Sequence, residues 1–167
     1  MKTITTKAII LGHREFGESD KVIHCYSADL GKIQIVAKGS RKLTSKFTGH
    51  LETLNICEIS LYFGPHTTIL TEINTIRNHQ NIRENFEKLT HALQIVEITN
   101  QMVYENQEID GLIELLEESI KAINHSEKSY VIAISFIIKL LDMLGYMPDL
   151  QQTATSLEEK YHKFLAY

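Results

Sequence analysis

The sequence predicts an α+β chain in which a five-stranded antiparallel barrel is followed by a helical bundle. Two observations carry this. The period of the apolar residues changes near residue 80, from twos before it to threes and fours after it. The charge balance changes sign at the same place: residues 1–80 carry 10 Lys and Arg against 7 Asp and Glu, and residues 81–167 carry 7 against 14. A chain of 167 residues with 43% hydrophobic content has enough apolar surface for a packed core, in one domain or two small ones sharing an interface.

In the first half, Thr3–Leu11, Lys21–Tyr26, Lys32–Lys38, Leu54–Phe63 and Thr67–Ile76 are rich in β-branched and aromatic residues and are bounded by Gly, Asp, Ser or Pro. Alternation is clearest in the fourth, where Cys57, Ile59, Leu61 and Phe63 share one face, assigned to the core, and Glu58, Ser60 and Tyr62 the other. Asp29-Leu30-Gly31 and Gly64-Pro65-His66 supply the turns of two hairpins. Five short strands in about 75 residues favour closure, which removes exposed edges, and an OB-like barrel over residues 1–79 is the leading candidate.

In residues 80–167, a first helix carries Ile82, Phe86, Leu89, Leu93 and Val96. A second is expected to be capped by Asp110 and to bury Leu112, Leu115, Leu116, Ile120 and Ile123. A third, Glu127–Leu144, capped by Ser126, is apolar on nearly every side through Val131–Leu141 and reads as the central helix of the bundle. Gly145 and Pro148 stop it; Gln151–Thr155 reads as a linker before an amphipathic stretch, Leu157–Leu165. With no Gly/Ser-rich linker between them, the halves are expected to pack together.

Several function classes fall away. No secretory leader opens the chain, and the longest apolar run, Val131–Ile138, is far short of a membrane span, so a cytoplasmic protein is expected. Cys25 and Cys57 cannot build a disulfide framework or a four-cysteine zinc site, and the eight histidines are scattered. No glycine arrangement forms a nucleotide phosphate cradle, and no nucleophile–base pair stands out, so neither an enzyme nor a cofactor is expected.

The basic segment Lys38-Gly39-Ser40-Arg41-Lys42-Leu43-Thr44-Ser45-Lys46 holds four cations and no acid. As a loop after the third strand, it offers cations, hydroxyls and backbone N–H groups to phosphate oxygens, with Arg14, Lys21 and Lys32 extending the track. The candidate DNA-binding residues are therefore Arg14, Lys32, Lys38, Arg41, Lys42 and Lys46. Tyr26, Phe47, Tyr62 and Phe63 are candidates for stacking on bases. The acidic helical half reads equally as a protein-docking surface or as a platform supporting the barrel.

In order, Ala8-Ile9-Ile10-Leu11, Arg14-Glu15-Phe16-Gly17-Glu18-Ser19-Asp20-Lys21, Gly31-Lys32, Ala37-Lys38-Gly39-Ser40-Arg41-Lys42 and Phe47-Thr48-Gly49-His50-Leu51-Glu52 form a pattern that resembles the RecO family of DNA recombination and repair mediators. Leu140-Leu141-Asp142-Met143-Leu144-Gly145-Tyr146-Met147-Pro148 resembles that family's motif at the end of its helical core. The resemblance implies an OB barrel with a helical domain, binding of single- and double-stranded DNA, annealing of complementary strands and help in loading recombinase on coated single strands. It also implies a nucleoid-associated location and two partners, RecR and the single-stranded-DNA-binding protein. By position, Lys38, Arg41 and Lys42 match the family's basic loop, Arg14 a basic position before the turn, and Gly17, Gly31 and Gly39 turn glycines expected at positive φ or at a close backbone approach. Two departures stand out: Gln151, Gln152, Thr153 and Ala154 lie where many relatives have zinc-binding cysteines, so no structural zinc is expected, and the sequence is shorter than the family's usual extent. The alternative to a mediator is a protein-interaction adaptor whose barrel has lost useful DNA affinity.

Overall fold

The computed structural model describes residues 3–146. Five strands, β1 (Thr3–Phe16), β2 (Asp20–Ser27), β3 (Gly31–Ala37), β4 (Ile56–Phe63) and β5 (Thr68–Arg77), close into a barrel in the order β1-β2-β3-β5-β4. The expected OB-type barrel followed by helices is thus present. One detail is corrected: β3 and β5 meet in parallel, at Val36 and Ile69, while the other four contacts are antiparallel. The reason is parity, since directions cannot alternate around a ring of five strands.

β1 is longer than its apolar pattern suggests. Thr3–Ile9 pairs with β4, and after a register shift between Ile10 and Gly12 the strand continues beside β2 to Phe16. Its last four residues, His13–Phe16, are all exposed, so no alternation marks them as strand. Further back, β1 is buried on both sides. Ala8 and Ile10 point into the barrel with Ile23, Cys25, Ile35, Ile59 and Leu61, and Ile9 and Leu11 point outward into a second core shared with the helices. The uninterrupted run Ala8-Ile9-Ile10-Leu11 is therefore what a strand between two cores requires.

The helices are α1 (Gln80–Arg83), α2 (Phe86–Met102), α3 (Leu112–His125) and α4 (Ser129–Met143). Four helical expectations need correction. The first helix is two pieces: Asn85 breaks the run, and its side chain accepts from the Lys88 N–H (3.0 Å) to cap α2, leaving Phe86 and Leu93 exposed. Asp110 is not the cap of α3; Gly111, at φ 76°, occupies that position and its carbonyl accepts from the Leu115 N–H. Ser126 caps the end of α3, and its Oγ accepts from the N–H of Lys128, the residue immediately before α4. Finally, α4 is one-sided: Ala133, Phe136 and Leu140 are buried while Tyr130, Val131, Ile134 and Ile138 are exposed. Of the expected α3 stripe, Leu112, Leu116, Ile120 and Ile123 are buried and Leu115 is half-buried, and Gly145 adopts φ 76° after α4. Pro148, the Gln151–Thr155 linker and Leu157–Leu165 lie outside the described residues.

The halves are joined by polar contacts as well as by the shared core. The Tyr26 hydroxyl accepts from the Ile109 N–H (2.9 Å) and lies 3.2 Å from the Ile109 carbonyl. Lys32, only 8% exposed, donates from Nζ to the carbonyls of Asn100 and Val103 (2.9 Å to the latter), at the C-terminal end of α2. Those carbonyls have no intrahelical partner and sit at the negative end of the helix dipole, so an ammonium group is well matched to them. The α2–α3 connection also bonds to the start of β3, through Asn106 N–H to the Lys32 carbonyl (2.7 Å) and Lys32 N–H to the Gln107 carbonyl (3.4 Å). Gly31 is the point of closest approach: its φ is +63° and a Cβ there would fall on the Gln107 carbonyl.

Two outcomes follow from this interface. Gly31→Ala should lower unfolding stability by about 2–4 kcal/mol, from strain plus overlap, whereas Gly17→Ala, also at positive φ but in open space, should cost only about 1–2 kcal/mol; urea titrations compare the two. Lys32→Met should lower stability by about 2–4 kcal/mol because two helix-end carbonyls lose a charged donor, and equal midpoints for Lys32→Met and the unsubstituted chain would remove this role.

Candidate nucleic-acid interface

The basic segment leaves β3 at Ala37 and folds back onto the β1–β2 hairpin. The Gly39 N–H donates to Asp20 Oδ1 (2.8 Å) and the Arg41 N–H to the Ser19 carbonyl (2.9 Å). The Arg41 guanidinium reaches the Gly17 carbonyl (3.2 Å) and Glu15 Oε2 (3.1 Å). Within the segment, the Lys42 N–H donates to the Gly39 carbonyl (3.2 Å) and the Ser45 N–H to the Lys42 carbonyl (2.9 Å), making two successive turns. Phe47 then enters the barrel core. The loop is pinned at both ends, and its cations project from a fixed frame.

Asp20 is the anchor. The Gly39 N–H and the Ser19 hydroxyl hold its carboxyl below the usual carboxylate range against the opposing effect of desolvation, with smaller help from the positive charges of Lys38 and Lys42. Gly17 (φ 60°) and Gly39 (φ 67°) take the expected left-handed conformation at the two turns that face each other here.

The structure brings Lys38, Arg41 and Lys42 together, all exposed, at one end of the barrel. Arg14 is exposed on β1, opposite Val22 in the β1–β2 register, and its charge reaches His24, whose pKa is lowered by burial first and then by Lys32 and Arg14. Lys32 does not belong to this group. It is buried at the barrel–helix interface, where its ammonium serves the end of α2 and cannot meet a phosphate. Lys46 is exposed but turned elsewhere, donating to the Thr71 carbonyl of β5 (2.6 Å) with its Nζ 5.3 Å from the Phe47 ring centre. Lys21 is half-buried opposite Glu15.

The aromatic expectations are also revised. Tyr26 and Phe47 are buried, one bonded to Ile109 and the other in the barrel core, so neither is free to stack. Phe63, assigned to the core by alternation, is 36% exposed because β4 ends there and the barrel no longer covers it. Tyr62 is half-buried. The sequence reading missed Phe16, 50% exposed at the end of β1, and Leu43, fully exposed within the basic loop. It also missed the anchoring by Ser19 and Asp20. The acid-free composition of the loop was visible, but its contact with Asp20, 19 residues earlier, was not.

Cys25 and Cys57 are buried in the barrel, and burial pushes the Cys25 thiol up to about 12, which makes it unsuited to nucleophilic work. Among the described residues no group of three His, Cys, Asp or Glu side chains is placed to hold a metal ion, and no helix is long and apolar enough to cross a membrane.

Since folding holds Asp20 ionised more strongly than the unfolded chain does, its contribution is complete above the usual carboxylate range and is lost as pH falls through the lowered value. Asp20→Ala is expected to speed hydrogen exchange at the Gly39 amide at neutral pH, and the unsubstituted chain to lose that protection only in acid. Equal Gly39 protection in both proteins at neutral pH would show that Asp20 does not anchor the loop.

The sequence matches two family models, recombination protein O N terminal over residues 1–80 and recombination protein O C terminal over residues 83–162. It is 32% identical over 151 residues to the DNA repair protein RecO of Thermoanaerobacter sp. (strain X514), covering 90% of this chain and 61% of that protein. To the DNA repair protein RecO of Dehalococcoides mccartyi (strain ATCC BAA-2100) it is 34% identical over 149 residues, covering 89% and 59%, and to that of Acetivibrio thermocellus 28% over 170 residues, covering 99% and 68%. The chain spans about three fifths of the length of the first of these relatives. With one model covering the barrel and the other beginning within α1, this chain belongs to the RecO family of DNA repair proteins.

Proposed function

We propose that the chain binds DNA through the free end of its barrel and anneals complementary strands, as a RecO-type mediator that helps load recombinase on single strands. The supporting observation is the fixed presentation of Lys38, Arg41 and Lys42 on a loop anchored to the β1–β2 hairpin, with Arg14 exposed on β1 of that hairpin. Annealing requires no bond-making residue. Cations that lie between two strands lower the repulsion of their phosphates, and base pairing supplies the driving force. The absence of an enzymatic step, a cytoplasmic, nucleoid-associated location, and RecR and the single-stranded-DNA-binding protein as partners belong to the same reading.

Arg41 is already engaged with Glu15, so phosphate binding there exchanges one ionic partner for another. This makes Lys38, Lys42 and Arg14 the larger contributors to long-range attraction. Neutralising about four phosphates on a single strand gives a slope of log K against log salt of about −3.

A second reading, a protein-interaction adaptor, is favoured by the helical half. A groove of about 1020 Å³ runs between α2, α4 and the rim of the barrel, lined by Leu11, Leu93, Val96, Tyr130, Ile134 and Ile137 among others. The two readings separate on salt. Anisotropy of a labelled single-stranded oligonucleotide should show affinity falling steeply with salt, and the Lys38→Glu, Arg41→Glu, Lys42→Glu triple variant should bind about a hundredfold more weakly, or worse, at about 50 mM salt. A chain that ignores DNA at low salt would leave the adaptor reading.

A further inference from the structure

We infer that the free end of the barrel touches bases as well as phosphates, through Phe16 and Leu43; this rests on the DNA-binding reading above. A single exposed apolar side chain is ordinary on a protein surface and carries no meaning alone. What distinguishes these two is their setting. Leu43 is the most exposed large apolar side chain among the described residues. It occupies the second position of the turn closed by Ser45 N–H to the Lys42 carbonyl, so it projects from the tip of the anchored basic loop, directly after Arg41 and Lys42. Phe16 ends β1 between Glu15 and Gly17, the two residues that Arg41 holds. The same guanidinium therefore fixes the backbone on either side of Phe16 to the loop that carries Leu43.

Phe16 also shares a strand face with Arg14, two residues before it. A phosphate held by Arg14, Lys38 or Lys42 brings its nucleotide to a rim where the apolar groups available are a phenyl ring and a branched aliphatic chain. A ring suits stacking on an unpaired base, and an aliphatic side chain suits wedging between two bases that have parted. Both contacts need bases out of a duplex stack, so they add affinity for single strands, independent of salt, to the salt-dependent attraction of the cations. The rim thus holds a strand with its bases separated, the state from which pairing with a complement begins.

The test uses a single-stranded oligonucleotide carrying 2-aminopurine, and a second one carrying abasic sites at the same positions. Phe16→Ala and Leu43→Ser are each expected to weaken binding by about tenfold, to leave the salt slope unchanged, and to reduce the fluorescence rise of 2-aminopurine. The unsubstituted chain should bind the abasic strand at least as weakly as either variant binds the normal one. Thermal melting checks the fold of Phe16→Ala; Leu43, fully exposed, has no packing to lose. If Leu43→Ser and a folded Phe16→Ala keep wild-type affinity and fluorescence response while the triple Glu variant loses binding, the base-contact inference fails and the DNA-binding reading stands. If the unsubstituted chain binds neither strand, both fail.

Discussion

The fold depends on β1 being buried from both sides. A strand with only one apolar face would close the barrel and leave the helices without a seat, and the helices cannot bury their own faces without it: Ile9 and Leu11 complete the core built by Ile82, Ile95, Val96, Leu112 and Phe136. Burying that shared surface is the main favourable contribution to joining the halves. Several polar groups at the junction are matched, as burial beside an apolar core demands. Tyr26 shares its hydroxyl with the Ile109 backbone, Asn55 bonds to Arg83 and to the carbonyls of Gly49 and His50, and Lys32 closes the end of α2.

That arrangement decides where the positive charge of the first half can act. Lys7 is paired with Glu117 of α3 (2.7 Å), and Lys32 is buried against backbone, so two cations of the barrel are committed to the helical half. Lys46 is tethered to β5. Among the described residues of the first half, the other cations left exposed are Lys38, Arg41 and Lys42 on the anchored loop, Arg14 on β1 and Arg77 at the end of β5. The modest excess of cations counted from the sequence is thus partly taken up at the junction and partly gathered on one loop.

Much of this was legible in the sequence, for physical reasons that also explain the failures. Strand periodicity worked wherever one face meets a core, as in β4, and failed at His13–Phe16, where both faces meet water, and at Phe63, where the barrel stops covering the face that alternation assigned to it. Turn chemistry worked at Gly17, Gly31 and Gly39, since positive φ is a local demand that glycine meets. Helical periodicity found the stripe of α3 but read α4 as central, because apolar content reports that a surface can be buried and not whether a neighbour covers it. For the site, the basic loop was visible as composition. Lys32 was misassigned because a lysine bound to helix-end carbonyls is spelled the same way as one facing phosphate.

The anchoring of the loop sets two effects against each other. Asp20 and Glu15 bring negative charge into a cationic rim, which weakens its field. They also fix the backbone at Gly39 and the guanidinium of Arg41, and a segment already ordered loses less conformational entropy when a strand binds. At about 3 Å from their partners the two carboxylates lie well inside the Debye length of about 8 Å, so salt does little to remove their effect on the field. On the reading that the rim binds a strand, they exchange some attraction for a loop that does not have to be ordered each time a strand arrives.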